Sequence, residues 1–384
     1  MREVAILGIG QTPVAEHWDK SIKELAGTAI FAALNDAQRN SAEALFIGNM
    51  LSGLLSKQEN LGGLISDWIG LPGIEAEKVE AACGSGAAAF RAGLIAVSSG
   101  EVDTALVVGV EKMTESLPIE TTEALATAAD ADYESVQGLS FVAINALVMQ
   151  IYLHTYGWKH TDFAPFSINA HANALHNPYA RLHEKITEKD YITARMVSEP
   201  INLLDASPIG DGAAAVLLVP ADSITINDTR IIKVISSASA TDTIAIHNRK
   251  DPLWLSAAEK SAKKAYDQAG LEPNDIDFFE LHDAFSIMSV LSLEACGFTD
   301  RGNGPRLGLD GNITLNGKIP ITTRGGLKAR GHPVGATGMY QIVEAVQQLR
   351  GEGDPTQVLD ARIGMTQNIG GSGATIITHI LKVQ

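Results

Sequence analysis

Short apolar segments alternate with longer amphipathic segments along this chain. Residues 3–10, 105–110 and 213–219 are apolar at almost every position, which is typical of strands buried on both faces. Residues 21–38 instead carry apolar side chains at helical spacing and predict an amphipathic helix, and residues 53–69 are also predicted to be mainly helical. Since buried strands and helices alternate, the pattern predicts an α/β fold.

Two stretches of the chain repeat one pattern. In the first, Cys83 precedes a Gly- and Ala-rich helix start, after which come a helix, a Gly-Glu pair and the strand at 105–110. In the second, His332 precedes a similar helix start, followed by a helix, a Gly-Glu pair and a strand at 361–366. The repeat predicts two fused halves of one architecture, residues 1–222 and 229–384, with Cys83 and His332 close together in space.

Residues 117–200 interrupt the first half. This segment is acidic and Ala-rich at first and then rich in histidine and aromatic residues, and we interpret it as an insertion that covers the active face. A metal site is the alternative interpretation of a His-rich segment. No histidine pair has the spacing of metal ligands beside a carboxylate, so the sequence favours a helical cover domain and predicts no metal.

Cys83 is the candidate nucleophile. The Ala-rich run that follows it is compatible with a helix, which places the thiol near a helix N-terminus, where the dipole and unpaired N–H groups lower a thiol pKa. The alternative is a buried cysteine that packs as a small apolar side chain. The matching histidine segment in the second half favours the nucleophile.

Composition excludes several classes of function. The 384 residues carry a formal net charge of −16, which disfavours nucleic acid as a partner because phosphate binding needs a basic face. The apolar runs are far shorter than the roughly 18 residues of a membrane helix, and the N-terminus lacks the pattern of a signal peptide. We therefore expect a cytoplasmic protein that does not contact membranes. Two cysteines argue against a disulfide framework.

Four motifs resemble those of the thiolases, and the resemblance extends over essentially the full chain. They are the nucleophile segment 79–86, the strand end 109–114, the closing strand of the first half at 207–215, and the histidine loop 331–338 with its GHPxGxTG-type sequence. The turn His282-Asp283-Ala284-Phe285 resembles archaeal acetoacetyl-CoA thiolases and sterol-carrier-protein-2 thiolases. The resemblance implies the thiolase fold, in which two pseudo-repeated halves form five αβαβα layers, and a homodimer or homotetramer.

The resemblance also implies roles for individual residues. Cys83 would take the acyl group from an acyl-CoA as a thioester, and His332 would be the base that generates its thiolate. His282 and His332 would form an oxyanion hole for the second acyl-CoA, and the backbone N–H groups of Cys83 and Gly370 would form the other. Coenzyme A thioesters would be substrates, with no permanently bound cofactor.

The chain departs from the family at the second catalytic cysteine, which removes an α-proton in other thiolases. Biosynthetic and degradative thiolases carry it at the position of Asn368, and the sterol-carrier subgroup carries it at the position of Ala284. Cys296 is a weaker candidate substitute, since a core thiol is the simpler interpretation. Proton removal would then fall to His282, His332 or a water.

The basic residues Arg324, Lys328 and Arg330 lie next to His332 in this acidic chain. They could hold a phosphate of coenzyme A, although a solvated loop is the favoured interpretation.

The leading hypothesis is an acetyl-CoA C-acetyltransferase that condenses two acetyl-CoA molecules as the first step of the mevalonate pathway. The resemblance implies a complex with hydroxymethylglutaryl-CoA synthase and a small zinc-bearing bridging protein. One alternative is a thiolase-like acyl-CoA-binding subunit with impaired condensation, which the missing cysteine favours. Another is a β-ketoacyl-ACP synthase, which Asn368 favours and the histidine loop opposes.

Overall fold

The computed structural model describes residues 2–224 and 230–384. The strands of this part are β1 (Val4–Gln11), β2 (Ala44–Gly48), β3 (Glu75–Val79), β4 (Ala105–Glu111), β5 (Met196–Ser198), β6 (Ile201–Asn202), β7 (Gly212–Pro220), β8 (Ile232–Thr241), β9 (Phe278–Glu280), β10 (Ile363–Gly370) and β11 (Thr375–Val383). The α-helices are α1 (Ile22–Asp36), α2 (Leu61–Trp68), α3 (Ser85–Ser99), α4 (Pro118–Ala126), α5 (Phe141–Tyr156), α6 (Ala164–Ala174), α7 (Glu188–Thr193), α8 (Ser256–Ala269), α9 (Ser286–Ala295), α10 (Gly304–Leu309) and α11 (Thr337–Leu349).

The main sheet is symmetrical about one short seam. Its strand order is β3-β2-β4-β7-β1-β8-β11-β10-β9, so β1, β7, β4 and β2 of the first half correspond to β8, β11, β10 and β9 of the second. β1 and β8 pair only where Val4–Ile6 meets Ile232–Val234, whereas each pairs along most of its length with a strand of its own half. The predicted pseudo-repeat is therefore present as two half-sheets joined at a seam.

Helices cover both faces of each half-sheet. α1 packs on the outer side of β1 and β7, and α8 packs on β8 and β11, while α3 and α11 lie between the half-sheets and contact both. β4 shows why its sequence is apolar up to Val110. Leu106 and Val108 join the core under α1, and Val107 joins the core around α3 and α11. This is the predicted five-layered arrangement.

The exact bounds of the two predicted halves, residues 1–222 and 229–384, stay a prediction, and residues 1 and 229 lie outside the described residues. Residues 117–200 contain α4 to α7 and β5, and the partner strand β6 follows directly after them. The start of α5 faces the interior beside Cys83. No helix in the described ranges is long and apolar enough to cross a membrane.

Two local predictions differ from the structure. Only the second part of residues 53–69 is helical, because Lys57 and Asn60 have φ values of 52° and 53° and α2 begins at Leu61. The apolar pattern also misses β3, whose charged residues suit its place at the edge of the sheet.

Candidate active site

Cys83 lies in the tight connection between β3 and α3. Ala82 before it has a φ of 51°, an uncommon conformation for a residue with a side chain. The hydroxyl of Ser85 accepts a hydrogen bond from the Ala81 N–H at 2.9 Å and donates one to the Ala82 carbonyl at 2.6 Å. The connection is therefore fixed around the cysteine by its own residues.

The starts of α3 and α11 meet at glycines. A Cβ atom on Gly86 would lie 2.9 Å from the carbonyl oxygen of Gly335, and a Cβ on Gly338 would overlap the backbone nitrogen of Ala87. Only residues without side chains allow this approach. The Gly-rich segments that follow Cys83 and His332 thus bring the two loops together.

Cys83, His282 and His332 line one cavity of about 150 Å³. The structure therefore brings together the three side chains that the sequence selects. Most of the remaining wall is apolar and comes from both halves and from the insertion: Leu125, Phe141, Val142, Phe285, Met288, Val334 and Ile369. An enclosed site with a mostly apolar wall strengthens the electrostatic interactions inside it.

His332 is held in the form that leaves one ring nitrogen free to accept a proton. Its Nδ1 lies 2.7 Å from Oγ1 of Thr337, and the Thr337 hydroxyl is oriented to donate to the Pro333 carbonyl. With the hydroxyl hydrogen assigned to the Pro333 carbonyl, 3.4 Å away, Oγ1 accepts from Nδ1–H and Nε2 keeps its lone pair. Burial, the neighbouring His282 and Arg330 hold the pKa of His332 well below its usual range, so the ring is neutral at pH 7.

His282 is held in the opposite form. The Asn368 side-chain amide donates from Nδ2 to His282 Nδ1 at 2.9 Å, so the ring proton is on Nε2. Burial, and secondly Arg330, lower the pKa of His282 to about 3. The two imidazoles meet edge to face, with centroids 5.1 Å apart. One ring can accept a proton and the other can donate a hydrogen bond.

The Cys83 thiol is protonated at neutral pH, which corrects the expectation of a lowered pKa. Burial, and secondly the charge of Glu111, raise the pKa of Cys83 to about 12, although the backbone amides of Cys83 and Gly371 donate to the sulfur and oppose the shift. Desolvation of the thiolate thus outweighs the helix N-terminus. The resting pair is a neutral thiol and a neutral imidazole.

The turn that carries His282 is clamped from two sides. Asp283 accepts hydrogen bonds from the backbone N–H groups of Leu327 and Lys328, and the Ala284 carbonyl accepts from the N–H of Ser207 at 2.9 Å. The ammonium group of Lys328 donates to the Asp205 carbonyl. These contacts set the position of the His282 ring.

Arg324, Lys328 and Arg330, the basic residues before His332, are buried. They therefore form neither a phosphate site on the surface nor a solvated loop, the two interpretations made from the sequence. Arg330 is 0% exposed and pairs with Glu344 at 3.1 Å, Arg324 donates to the Gly353 carbonyl at 3.1 Å, and Lys328 is enclosed as described above. A sequence window shows the charges but hides their partners, which lie in other elements. The buried hydrogen bonds of these cations stabilise the histidine loop.

The predicted acid/base positions hold no thiol. Ala284 lines the cavity, and Asn368 lies behind His282. Cys296 ends α9 away from the cavity wall, where its sulfur accepts a hydrogen bond from Gln367 at 3.2 Å. Its pKa is raised to about 12 by burial, as expected for a core thiol.

Sequence reasoning misses the partners of these side chains. It assigns no role to Thr337, although this residue stands in the histidine loop, five positions after His332. Its selection of Gly370 for an oxyanion hole stays a prediction. The backbone amides that donate to the Cys83 sulfur in the structure are those of Cys83 itself and of Gly371, which the sequence does not single out. Among the residues with described positions, no group of metal-ligating side chains is present.

Comparison with known proteins gives a consistent result. The family domain described as "Thiolase, N-terminal domain" matches residues 4–222, and "Thiolase C-terminal domain-like" matches residues 238–383. An acetyl-CoA acetyltransferase of Methanothermobacter thermautotrophicus is 44% identical over 384 residues, with 100% of both chains covered. An acetyl-CoA acetyltransferase of Methanocaldococcus jannaschii is 37% identical, with 100% of this chain and 99% of the relative covered.

A solved structure shares the fold. The structure titled "Ltp2-ChsH2(DUF35) aldolase" superposes with a TM-score of 0.86 at 23% identity and covers 99% of this chain and 98% of its own. The two family domains and the two acetyl-CoA acetyltransferases confirm the resemblance to the thiolases.

Proposed function

Because the chain belongs to the thiolase family and is thus an acyltransferase, we propose that it is an acetyl-CoA C-acetyltransferase that condenses two acetyl-CoA molecules into acetoacetyl-CoA and free CoA. The observation that carries the proposal is one small cavity that contains a thiol, a hydrogen-bond acceptor nitrogen on His332 and a hydrogen-bond donor nitrogen on His282. The similar enzymes at 44% and 37% identity bear this activity in their names.

In the first half-reaction, Cys83 is acetylated. His332 Nε2 takes the thiol proton as the sulfur attacks the thioester carbon of acetyl-CoA, and the bond from that carbon to the CoA sulfur breaks. The CoA thiolate leaves with the proton from His332. The backbone N–H groups of Cys83 and Gly370 would hold the oxyanion, and such donors contribute about 2.7–4 kcal/mol each.

In the second half-reaction, the α-carbon of another acetyl-CoA attacks the acetyl group. A base of the site takes the α-proton, the new carbon–carbon bond forms and the bond to the Cys83 sulfur breaks, and the base returns the proton to that sulfur as acetoacetyl-CoA is released. His282 Nε2–H would donate to the thioester oxygen as negative charge develops on it, and His332 Nε2 would donate to the same oxygen once it has taken a proton. The apolar wall excludes water that would hydrolyse the acetyl-Cys83 thioester.

The assembly and the pathway are part of the proposal. We propose a homodimer or homotetramer, supported by the outer edge of β3, which ends the main sheet and offers unpaired backbone groups to a second copy. A step in the mevalonate pathway, with hydroxymethylglutaryl-CoA synthase and a zinc-bearing bridging protein as partners, remains the hypothesis made from the sequence. The structural neighbour whose title names a DUF35 protein supports a small partner of this kind. A cytoplasmic location stays a prediction.

An acyl-CoA-binding subunit with impaired condensation is the second candidate. Ala284 and Asn368 favour it, since neither side chain can take an α-proton. It predicts an acetylated Cys83 without carbon–carbon bond formation.

Thiolysis of acetoacetyl-CoA by the purified protein tests the proposal. The wild type should cleave acetoacetyl-CoA in the presence of CoA, Cys83→Ala should abolish cleavage, and Cys296→Ala should retain it. Acetylation of Cys83 without thiolysis would support the subunit instead. An unmodified Cys83 with no turnover would reject both candidates.

A further inference from the structure

We propose that Asn368 is a positioning residue that holds His282 as a fixed hydrogen-bond donor, and that His332 is therefore the base in both proton transfers of the condensation. The inference rests on the proposed function. Other thiolases remove the α-proton with a second cysteine, and this chain has Ala284 and Asn368 at the two positions where that cysteine occurs. The proposal assigns the removal to His332.

The hydrogen bond between Asn368 and His282 decides what His282 can do. An amide nitrogen only donates, so the 2.9 Å contact from Asn368 Nδ2 requires a lone pair on His282 Nδ1 and a proton on Nε2. Both side chains are buried, at 1% and 3% exposure, so water cannot exchange these roles. With both nitrogens committed, the His282 ring has no lone pair that could take an α-proton.

The amide orientation follows from the surroundings of Asn368. Its Oδ1 is buried, has no hydrogen-bond partner among the described residues, and faces the start of α11, where a Cβ on Gly338 would lie 2.5 Å from this oxygen. The N-terminus of a helix carries partial positive charge and favours an oxygen over an NH2 group. The amide nitrogen is therefore the atom that points to His282.

His332 has the complementary arrangement. Thr337 accepts from its Nδ1–H, and the free lone pair lies on Nε2. Of the side chains that line the cavity, the ionisable ones are Cys83, His282 and His332. During condensation Cys83 carries the acetyl group and His282 is fixed as a donor, so His332 remains as the base.

The proton balance then closes with one base. His332 first moves the proton of Cys83 to the departing CoA and becomes neutral again. It next takes the α-proton of the second acetyl-CoA, and the enolate oxygen is held by His282 Nε2–H. When the carbon–carbon bond forms and the Cys83 thiolate leaves, the imidazolium of His332 returns this proton to the sulfur. The enzyme ends in its starting state.

The tautomers can be measured directly. Long-range proton–nitrogen spectra of the full-length protein with ¹⁵N-labelled histidine distinguish protonated from unprotonated ring nitrogens, and a His282→Ala spectrum assigns the signals. We expect His282 with an unprotonated Nδ1 and His332 with an unprotonated Nε2. A proton on His282 Nδ1 in the wild type would overturn the proposal, and this measurement needs no variant at Asn368.

Two substitutions of Asn368 separate positioning from packing. Asn368→Asp keeps the shape but offers acceptors, so a neutral His282 moves its proton to Nδ1 and loses the donor on Nε2. A doubly protonated ring would keep that donor, so the histidine spectra of this variant must show a neutral His282 before its rates are compared. Asn368→Ala removes the amide and forces neither tautomer. We expect Asn368→Asp to slow thiolysis and the exchange of acetyl-CoA methyl protons in D2O by about 10² to 10³, the loss of one oxyanion donor. Asn368→Ala should slow thiolysis and proton exchange by a smaller factor. Acetylation of Cys83 should persist in both variants.

The order of the two variants is the decisive readout. A purely structural role predicts that activity falls only as far as the free energy of unfolding falls, which urea titrations of both variants measure, since a buried carboxylate is itself destabilising. Positioning predicts that Asn368→Asp is the slower variant at equal stability. Exchange at the wild-type rate in Asn368→Asp, or a larger loss in Asn368→Ala, would refute the inference. Failure of the wild type to acetylate Cys83 or to cleave acetoacetyl-CoA would instead reject the proposed function, and the histidine spectra would still report the tautomers.

Discussion

Substitution of Thr337 by valine should weaken the base without changing the shape of the site. The Thr337 hydroxyl is the partner of His332 Nδ1–H at 2.7 Å, and valine replaces it with a methyl group of similar size. The Nδ1–H group is then buried without an acceptor. The ring gains by moving its proton to Nε2, which is the nitrogen that must accept the proton of Cys83.

The size of the effect follows from the environment of His332, which is 7% exposed. An unpaired buried donor costs about 1–3 kcal/mol. Since about 1.36 kcal/mol corresponds to a tenfold change in rate, the active tautomer should be reduced by a factor of roughly 5 to 150. The same factor should apply to both proton transfers, because they use one nitrogen.

Two assays measure it. The burst of CoA released in a single turnover with acetyl-CoA reports acetylation of Cys83, and deuterium uptake into the acetyl-CoA methyl group reports α-proton removal. Both should slow together in Thr337→Val. Thr28→Val, on the exposed face of α1, makes the same chemical change elsewhere and should leave both rates unaltered. Unchanged acetylation in Thr337→Val would show that the hydroxyl does not set the tautomer of His332.

Three further predictions concern burial around the site. Arg330→Met leaves the Glu344 carboxylate buried without its partner and should lower the free energy of unfolding by about 3–5 kcal/mol in urea titrations. A double variant that also carries Glu344→Gln should recover part of this loss. Equal stability of the wild type and both variants would contradict the burial argument. Alkylation of Cys83 should accelerate about tenfold per pH unit towards its pKa of about 12, and a plateau below pH 8 would indicate a preformed thiolate. Gly338→Ala should lower the melting temperature and the activity, because its Cβ has no space. The control Gly63→Ala, on the exposed side of α2, should change neither. If the protein tolerates both substitutions, the starts of α3 and α11 can move apart.

The apolar pattern predicts the parts of the fold that are buried on both sides. β4 and β7 are central strands with helices on both faces, so their positions are apolar except for Glu111 at the end of β4, and the strands stand out in the sequence. The repeat around Cys83 and His332 is also visible, because close packing of two helix starts requires glycine at matching positions. Edge strand β3 does not stand out, since one of its sides needs no apolar cover.

The chemistry of the site is less accessible from the sequence, because it depends on partners from distant segments. The sequence selects Cys83, His282 and His332 but predicts a lowered pKa for Cys83, whereas its pKa is raised. The residues next to the cysteine indicate the helix start, but the residues that bury the thiol come from other segments. Arg330 and Glu344 are 14 residues apart and meet only through the fold of the histidine loop onto α11. Burial of such charges cannot be inferred from the local pattern.

The pseudo-repeat explains how one architecture supplies two histidines with opposite roles. His332 belongs to the helix start that mirrors the Cys83 segment, and its Nδ1 partner, Thr337, is the first residue of that same helix. His282 follows β9, and its Nδ1 partner, Asn368, comes from the neighbouring strand β10. A hydroxyl that accepts and an amide that donates are thus placed behind two rings that share one cavity. Since each ring is buried and its outer nitrogen is committed, the nitrogen that faces the substrate is decided by the partner behind it rather than by the pH of the solution.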